Sequence, residues 1–302
     1  MKVGVIMGGV SSERDVSIMT GNEMIAQLDQ NKYDVQPVVL DNKTDLIEKA
    51  KDLDIALLAL HGKFGEDGTI QGALETLGIP YTGCGVLSSS LCMDKDITKR
   101  LCRFAGVLTA EWLMLKQADD LSVDDIMRRL GMPVVVKPNL GGSSIGVKIA
   151  RDRQALASAI QEALKYDDEV MIEQYVDGDE ITCAILNGTM LPVVSIQYDA
   201  DFFDYTQKYD DNGALEQIIE LPDAVHKRVE EAALACYQAL KCSVYARVDM
   251  ILRDGRPYVV EVNTLPGLTK NSLLPKSAQA AGIPYSQLLD ILIEQSLKEK
   301  RS

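Results

Sequence analysis

The chain carries few basic residues for its length. Lysine and arginine total 31 against 45 aspartate and glutamate residues, so the 302-residue sequence has a formal net charge of −14. Nucleic-acid backbones and anionic membrane surfaces both attract proteins through a basic field. The acidic balance therefore predicts that neither is a partner. A small anionic ligand is still compatible with it, because a few lysines can line one cleft.

Long apolar runs and metal-binding patterns are also missing. No run of 18 apolar residues occurs, so no transmembrane helix is predicted, and the opening apolar run is too short for a signal peptide. The chain has two histidines, His61 and His226, and no C-x-x-C pair, which argues against a zinc site. We therefore expect a cytoplasmic protein whose six cysteines are reduced and mostly buried.

The motifs of several enzyme classes are absent as well. Neither a G-x-S-x-G motif nor a catalytic Cys–His pattern occurs, so covalent hydrolysis has little support. The Gly8-Gly9 pair lacks the G-x-G-x-x-G spacing of dinucleotide-binding sites.

What is present begins with alternating strands and helices. Residues 2–7, 33–40 and 54–60 are near-continuous apolar runs, which are typical of parallel strands covered by helices on both faces. Ser12 and Asp15 resemble a capping box, which predicts a helix start near Ser12. We therefore predict an N-terminal parallel α/β lobe.

Beyond residue 85 the rhythm changes, and three lobes fit better than two: 1–85, 86–178 and 179–302. A polar segment near 198–217 has little periodicity and is long for a loop, which indicates a functional or mobile segment. The remaining predicted helices are 86–105, 122–130, 152–164, 221–240 and 285–299, and the extended segments are 110–115, 133–138, 169–176, 179–187, 190–197 and the hairpin 244–263.

A glycine- and serine-rich loop follows Lys137. Its glycines allow positive φ, and consecutive N–H groups can then form an anion-binding nest. Ser143 and Ser144 add hydroxyl donors, but no G-K-[ST] ends the loop, so it is not a Walker A motif. The alternative is a flexible surface turn. The glycines are Gly141, Gly142 and Gly146.

The hairpin carries oxygen ligands on alternate positions. Asp249 on its first strand, with Glu261 and Asn263 on its second, would suit Mg²⁺. A two-residue turn would place Asp249 opposite Val260 and would send Glu261 to the other face. The metal site therefore requires a bulge or an odd loop. The alternative is a charged, solvent-facing strand.

Two further segments follow predicted strands. His61 stands at a glycine-rich strand-to-helix junction, where Asp67 is placed to cap a helix that begins near Thr69. A histidine in such a place is more often structural than a ligand contact. Ser272 marks another helix start, and a helix N-terminus can bind a carboxylate, although simple capping is an equal alternative.

Taken in order, eight segments resemble the D-alanine–D-alanine ligases of the ATP-grasp superfamily. They span residues 8 to 275, so the resemblance covers nearly the whole chain. The segments are GGVSSERDVSIMTG, HGKFGEDGTIQG, YTGCGVLSSSLCMDK, VVKPNLGGSSIGV, IEQYVDGDEIT, KY at 208–209, RVDM and EVNTLPGLTKNSLLP.

The resemblance implies an ATP-grasp fold, in which central and C-terminal lobes sandwich ATP behind an N-terminal parallel α/β lobe. It implies ATP as co-substrate and two Mg²⁺ ions, with Mn²⁺ as a substitute, held by the hairpin ligands Asp249, Glu261 and Asn263. It also implies a homodimer. The implied ATP-binding residues are Lys95, Lys137, Ser143, Ser144, Glu173, Val176, Glu180 and Lys208.

The resemblance also implies the chemistry. The first D-alanine binds with its amine near Glu13 and with His61 close by, and its carboxylate attacks the γ-phosphate of ATP to give an acyl phosphate and ADP. The amine of the second D-alanine attacks the acyl carbon, giving the dipeptide used in peptidoglycan precursors. The remaining implied roles are carboxylate binding at Ser272 and Leu273, oxyanion donation by Arg247 and Gly267, and a water-excluding lid near 198–217 that carries Lys208 and Tyr209.

Alternatives remain within and beyond this resemblance. Lactate-using relatives differ mainly in the lid, whereas Tyr209 with Ser143 and Glu13 resembles the triad of the dipeptide-forming type, which favours an amine nucleophile. Gln174 stands where some members have a lysine beside the adenine. The competing hypotheses are a D-lactate or D-serine ligase, a phosphotransferase that stops at the acyl phosphate, and a nucleotide-binding regulatory protein without turnover.

Overall fold

The computed structural model describes residues 1–116, 122–197 and 215–301, and within them the strands form three sheets. Helices pack against these sheets, which confirms the predicted α/β class. None of the described helices is both long and apolar enough to cross a membrane.

The N-terminal sheet is parallel, as predicted. Its strand order is β2-β1-β3, and the apolar side chains on β1 are buried against the helices. The carboxylate of Asp67 accepts the N–H of Thr69 at 2.9 Å, in agreement with the expected helix start. The elements are β1 (Lys2–Gly8), α1 (Arg14–Gln27), β2 (Asp34–Leu40), α2 (Asp45–Lys49), β3 (Ile55–Leu58) and α3 (Thr69–Leu77).

The predicted capping box at Ser12 is wrong. Ser12 is exposed, and α1 begins at Arg14 with Glu13 in the cap position. The Glu13 side chain makes no capping hydrogen bond to the helix, because its carboxylate accepts the hydroxyl of Ser143 instead. A residue at the start of this helix is thus directed toward another lobe.

The central sheet has the order β4-β7-β5-β6, and each neighbouring pair of strands is antiparallel. Even-numbered residues of β5, Val134 and Val136, enter a core with Ile172, and this core also contains residues of α6 and α7. Odd-numbered residues of β5 therefore face the opposite side of the sheet. The elements are β4 (Trp112–Lys116), α6 (Val123–Leu130), β5 (Val134–Pro138), β6 (Lys148–Ala150), α7 (Arg153–Ala163) and β7 (Glu169–Gln174).

The single helix predicted over 86–105 is wrong, because the chain breaks at Asp94. Here α4 (Val86–Met93) ends and α5 (Lys95–Phe104) begins. Asp94 is extended, with φ −86° and ψ 107°, and its carboxylate caps the N–H of Ile97. A new helix start at this point places Lys95 in the first turn of α5.

The C-terminal sheet follows the order β11-β10-β8-β12-β13, with β9 paired to β8. Its core includes residues of α8 and all six cysteines. All six cysteines are free and buried, as expected from the sequence. The elements are β8 (Asp179–Leu186), β9 (Thr189–Met190), β10 (Val194–Gln197), β11 (Leu215–Ile218), α8 (Asp223–Ala239), β12 (Tyr245–Arg253) and β13 (Arg256–Asn263).

The last two helices, α9 (Leu273–Ala280) and α10 (Tyr285–Ser296), return to the N-terminal lobe. Leu274 and Leu292 belong to the same buried cluster as Val3 of the first strand. The chain end therefore stabilises the lobe in which the chain begins. The lobe boundaries at 85 and 178 stay predictions.

Candidate active site

A cleft lies between the central and C-terminal sheets. Strands β5 and β7 contribute one wall, and the hairpin β12–β13 contributes the other. Most of the residues that the sequence places around a nucleotide line this cleft, namely Lys95, Lys137, Ser144, Glu173, Val176, Glu180, Asp249 and Glu261.

Glu173 is buried between two lysines. Its Oε1 accepts from Lys137 Nζ at 2.5 Å, and its Oε2 accepts from Lys99 Nζ at 2.7 Å. Burial alone would raise the pKa of this carboxyl, but Lys137 and Lys99 outweigh burial and lower the pKa to about 2. Glu173 is therefore a carboxylate, and its negative charge is offset by two ammonium groups.

Lys95 spans the gap between the loop and the hairpin. Its ammonium donates to the carbonyl of Gly141 and lies 3.7 Å from Glu261 Oε2. Burial lowers the pKa of Lys95, and the nearby Glu261 carboxylate opposes that shift. A cation of α5 thus faces the proposed metal ligands.

The backbone of the loop differs from the sequence-based expectation. Positive φ occurs at Ser143 (52°) and Ser144 (58°), whereas of the three glycines only Gly146 (73°) adopts it. Non-glycine residues adopt such angles rarely, and they persist where surrounding contacts hold them. The hydroxyl of Ser143 donates to the Glu13 carboxylate, which supplies one such contact.

Glu13 lies in a narrow space that needs small neighbours. It is 6% exposed, and a Cβ added to Gly62 would lie 2.7 Å from Glu13 Oε2. Gly62 also has φ of 70°, which favours glycine. Both the backbone conformation and the close approach of Glu13 therefore require glycine at this position. Ser11 connects this group to His61, since its hydroxyl donates to the His61 carbonyl and accepts from the Glu13 N–H.

Each ring nitrogen of His61 lies near a side chain of the N-terminal lobe. Its Nε2 lies 3.3 Å from the hydroxyl of Thr20, and its Nδ1 lies 3.8 Å from Glu66 Oε1. Glu66 also accepts the N–H of Gly62 at 2.8 Å. These contacts give His61 a structural partner on each side of its ring.

The hairpin contains the bulge that the metal site requires. Asp249 pairs with Glu261 and Met250 pairs with Val259, so Val260 is the extra residue. The turn itself has two residues, because Arg253 pairs with Arg256. The bulge thus restores Asp249 and Glu261 to one face, and both line the cleft.

Asp249 has a dense set of donors. Arg247 donates to it twice, from Nε to Oδ1 at 2.9 Å and from Nη2 to Oδ2 at 2.7 Å. The hydroxyl of Thr182 donates at 2.6 Å and Asn263 Nδ2 donates at 2.9 Å. Burial lowers the pKa of Arg247, but Asp249 beside it dominates and the net direction is upward. These hydrogen bonds fix the orientation of the Asp249 side chain.

The donor set fits a hard cation of the Mg²⁺ type. The hairpin brings together two carboxylates and the amide of Asn263, whose carbonyl oxygen is a suitable ligand. Among the described residues, no group of three His, Cys, Asp or Glu side chains is arranged around a metal position. A small number of protein ligands is expected for Mg²⁺, because phosphate oxygens and water complete its coordination shell.

The predicted carboxylate-binding residues Ser272 and Leu273 lie at the start of α9, and they do not line the cleft. Ser272 precedes Leu273, the first residue of the helix, which agrees with the predicted helix start. Its hydroxyl accepts the N–H of Thr269 at 3.1 Å. A Cβ on Gly267 would lie 2.9 Å from Ser272 Oγ, so the turn and the helix start are in close contact.

Two contacts at the candidate site were not predicted from the sequence: Lys99 with Glu173, and Thr182 with Asp249. Lys99 follows Lys95 by four residues, so the spacing could have predicted that both side chains lie on one face of a helix. Thr182 pairs with Asp249 across β8 and β12, and no local pattern reveals that long-range register. The predicted lid residues Lys208 and Tyr209 lie outside the described residues.

Comparisons with known proteins show the family of this chain. Models of the D-ala D-ala ligase N-terminus and C-terminus match residues 2–50 with 42–84 and residues 101–294. A D-alanine–D-alanine ligase of Bacillus anthracis is 60% identical over 301 residues, which is 100% of this chain and 99% of the relative. One from Clostridium perfringens is 57% identical and is covered completely.

Solved structures show the same fold. The crystal structure of the Bacillus anthracis ligase complexed with ATP has a TM-score of 0.91 at 58% identity and covers 99% of this chain and 98% of that one. The VanG D-Ala:D-Ser ligase from Enterococcus faecalis has a TM-score of 0.87 at 32% identity, over 98% and 99% of the two chains. The chain therefore has the ATP-grasp fold and belongs to the D-alanine–D-alanine ligase family.

Proposed function

We propose that this protein joins two molecules of D-alanine in an ATP-dependent reaction that releases ADP and phosphate. One observation carries the proposal: the loop after β5 connects the cleft to the N-terminal lobe. Its Ser143 contacts Glu13 while its Gly141 contacts Lys95, which faces Glu261. A substrate held at Glu13 is thereby adjacent to a nucleotide held in the cleft.

ATP occupies the cleft, with its base and ribose near Val176 and Glu180 and its phosphates near Lys95 and Lys137. Both lysines are buried, at 7% and 3% exposure, so their charges are weakly screened. Ser143 and Ser144 border the phosphates. Asp249, Glu261 and Asn263 would hold Mg²⁺, which would supply positive charge to the phosphate oxygens.

The first D-alanine binds with its ammonium at the Glu13 carboxylate. Ser143 fixes one oxygen of that carboxylate, and His61 borders the same space. The substrate carboxylate attacks the γ-phosphorus, the bond between that phosphorus and the β–γ bridging oxygen breaks, and ADP leaves. An acyl phosphate would hydrolyse in water, so the reaction needs a closed site.

The second D-alanine is held through its carboxylate at Ser272 and Leu273, where the free N–H groups of α9 favour an anion. Its neutral amine attacks the acyl carbon. Arg247 and the N–H of Gly267 stabilise the oxyanion that develops there. The bond between the acyl carbon and the phosphate oxygen then breaks, phosphate leaves, and the attacking nitrogen loses one proton to solvent. D-alanyl-D-alanine for peptidoglycan precursors is the product. Tyr209 and Lys208 act in closing this site.

Three broader assignments belong to the same proposal. The enzyme is a cytoplasmic homodimer that binds neither nucleic acid nor membrane. Its lobes comprise residues 1–85, 86–178 and 179–302. Gel filtration with light scattering measures the homodimer, and limited proteolysis measures the lobe boundaries.

The test is a coupled ADP-release assay of the pure protein with ATP and Mg²⁺. D-alanine, D-lactate and D-serine are offered as the second substrate, and the products are identified by chromatography. The proposal expects ADP, phosphate and the dipeptide when D-alanine is the second substrate, and no ligation product with D-lactate or D-serine. Preference for D-lactate or D-serine, acyl phosphate trapped by hydroxylamine without dipeptide, or ATP binding without turnover would each overturn it.

A further inference from the structure

Lys99 is a buried lysine that no step of the proposed reaction uses. It is 1% exposed, although it stands on α5, a helix with charged residues at half of its positions. Burying an ammonium group costs free energy unless a charged partner offsets that cost. The partner is Glu173, whose other oxygen contacts Lys137.

The position of Lys99 follows from the helix and the sheet. Lys99 lies four residues after Lys95, so the two side chains project from one face of α5. Trp112 pairs with Glu173 across β4 and β7, and the Lys99 ammonium lies 5.3 Å from the centre of the Trp112 ring. The aromatic ring and the carboxylate together hold the ammonium in one place.

The role of Lys99 follows from the net charge of the group formed by Lys99, Glu173 and Lys137. A buried pair of Glu173 and Lys137 alone would have no net charge, and Lys137 would be committed to its carboxylate. With Lys99 added, two ammonium groups share one carboxylate, and the group carries one net positive charge. Burial lowers the pKa of Lys99 and Glu173 opposes that shift, so the carboxylate helps to keep Lys99 charged.

We infer that Lys99 is a positioning residue for nucleotide binding: it holds Glu173 in place and balances its charge so that Lys137 can bind the phosphates of ATP. Lys99 does not itself touch the nucleotide in this arrangement. The inference rests on the proposed function, because it concerns how the ATP site of that reaction is built.

The experiment combines Lys99→Met, Lys99→Arg and Glu173→Gln with the double variant Lys99→Met/Glu173→Gln. Lys227→Met is the matched control, because Lys227 is an exposed lysine on α8 whose ion pair with Glu231 is on the surface. Calorimetric titration with MgATP measures nucleotide affinity, steady-state kinetics measures KM for ATP, KM for D-alanine and kcat, and circular dichroism measures folding.

We expect Lys99→Met to weaken MgATP binding and raise KM for ATP about 10-fold or more, since hydrogen bonds to charged groups are the strong ones. KM for D-alanine should change less than about 2-fold, and Lys99→Arg should recover most of the affinity because it keeps the charge. In the Glu173→Gln background, removal of Lys99 should have little further effect, because Lys99 acts through Glu173.

Unchanged ATP affinity in folded Lys99→Met would overturn the inference, as would equal increases in both KM values. An additive loss in the double variant would overturn it as well. If Lys99→Met alone does not fold, the double variant removes both buried charges, and its comparison with Glu173→Gln gives the same test. A wild-type protein that does not bind MgATP would instead refute the proposed function.

Discussion

Asp249 on β12 lies directly opposite Glu261 on β13, and the bulge at Val260 makes this pairing compatible with a two-residue turn. Without the extra residue, Asp249 would face Val260 and the two carboxylates would point to opposite sides of the sheet. Their common face is the basis of the proposed metal site.

Glu261→Gln should reduce turnover by about 100-fold or more, because the charge stabilisation supplied by a bound metal is worth several kcal/mol. The substitution keeps the size and polarity of the side chain, so the fold should persist. The coupled ADP-release assay measures turnover, and circular dichroism measures folding. Glu231→Gln, at an exposed position on α8, is the control. Wild-type rates in Glu261→Gln would refute the metal assignment.

Ser143→Ala should raise KM for D-alanine by about 10-fold, since it removes a hydrogen bond to the charged Glu13 carboxylate. KM for ATP should change less, because Lys95 and Lys137 remain. Initial rates with each substrate varied in turn give the two constants. Ser90→Ala removes an exposed serine hydroxyl and serves as the control. An increase confined to KM for ATP would contradict the role given to the Ser143–Glu13 contact.

Gly267→Ala should weaken binding of the second D-alanine several-fold. The new Cβ would lie 2.9 Å from Ser272 Oγ, and the hydroxyl would have to leave its contact with Thr269. Gly72→Ala is the matched control, because a Cβ there meets its nearest neighbour at an ordinary 3.8 Å. Initial-rate kinetics at saturating ATP measures the effect. Equal kinetics for the two variants would count against a substrate site at this helix start.

Stability should depend on pH through Glu173. Burial raises its pKa, but Lys137 and Lys99 lower it to about 2, below the ordinary value of 4.5, and Lys95 adds a further positive charge in the cleft. A depressed pKa contributes stability that is complete above pH 4.5 and is lost as the pH falls toward 2. The contribution at neutral pH is on the order of a few kcal/mol.

Urea denaturation of wild type and Glu173→Gln between pH 7 and pH 2 measures this contribution. The variant should be less stable at neutral pH, and the difference between the two free energies of unfolding should shrink as the pH falls below 4.5. Glu231→Gln should follow the wild-type curve throughout. Parallel curves for wild type and Glu173→Gln would show that Glu173 titrates normally.

Local patterns in the sequence were sufficient for much of the fold. The apolar runs of β1, β2 and β3 indicated parallel strands, and β1 and β3 are buried on both faces as such runs predict. β2 lies at the edge of the sheet and is only partly buried. The helix break at Asp94 was not predicted, because it depends on tertiary structure. Asp94 is extended in part through its bridge to Leu140, and that contact joins distant segments.

The sequence by itself was sufficient to predict a candidate set of metal ligands. Asp249, Glu261 and Asn263 stand at alternate strand positions, and the hairpin argument already required a bulge or an odd loop. The structure decided between them, because β12 and β13 pair with a two-residue turn and with Val260 as an extra residue. It also decided the charge of the cleft. Lys99, Glu173 and Lys137 come from a helix and two strands, and only packing brings their charges together.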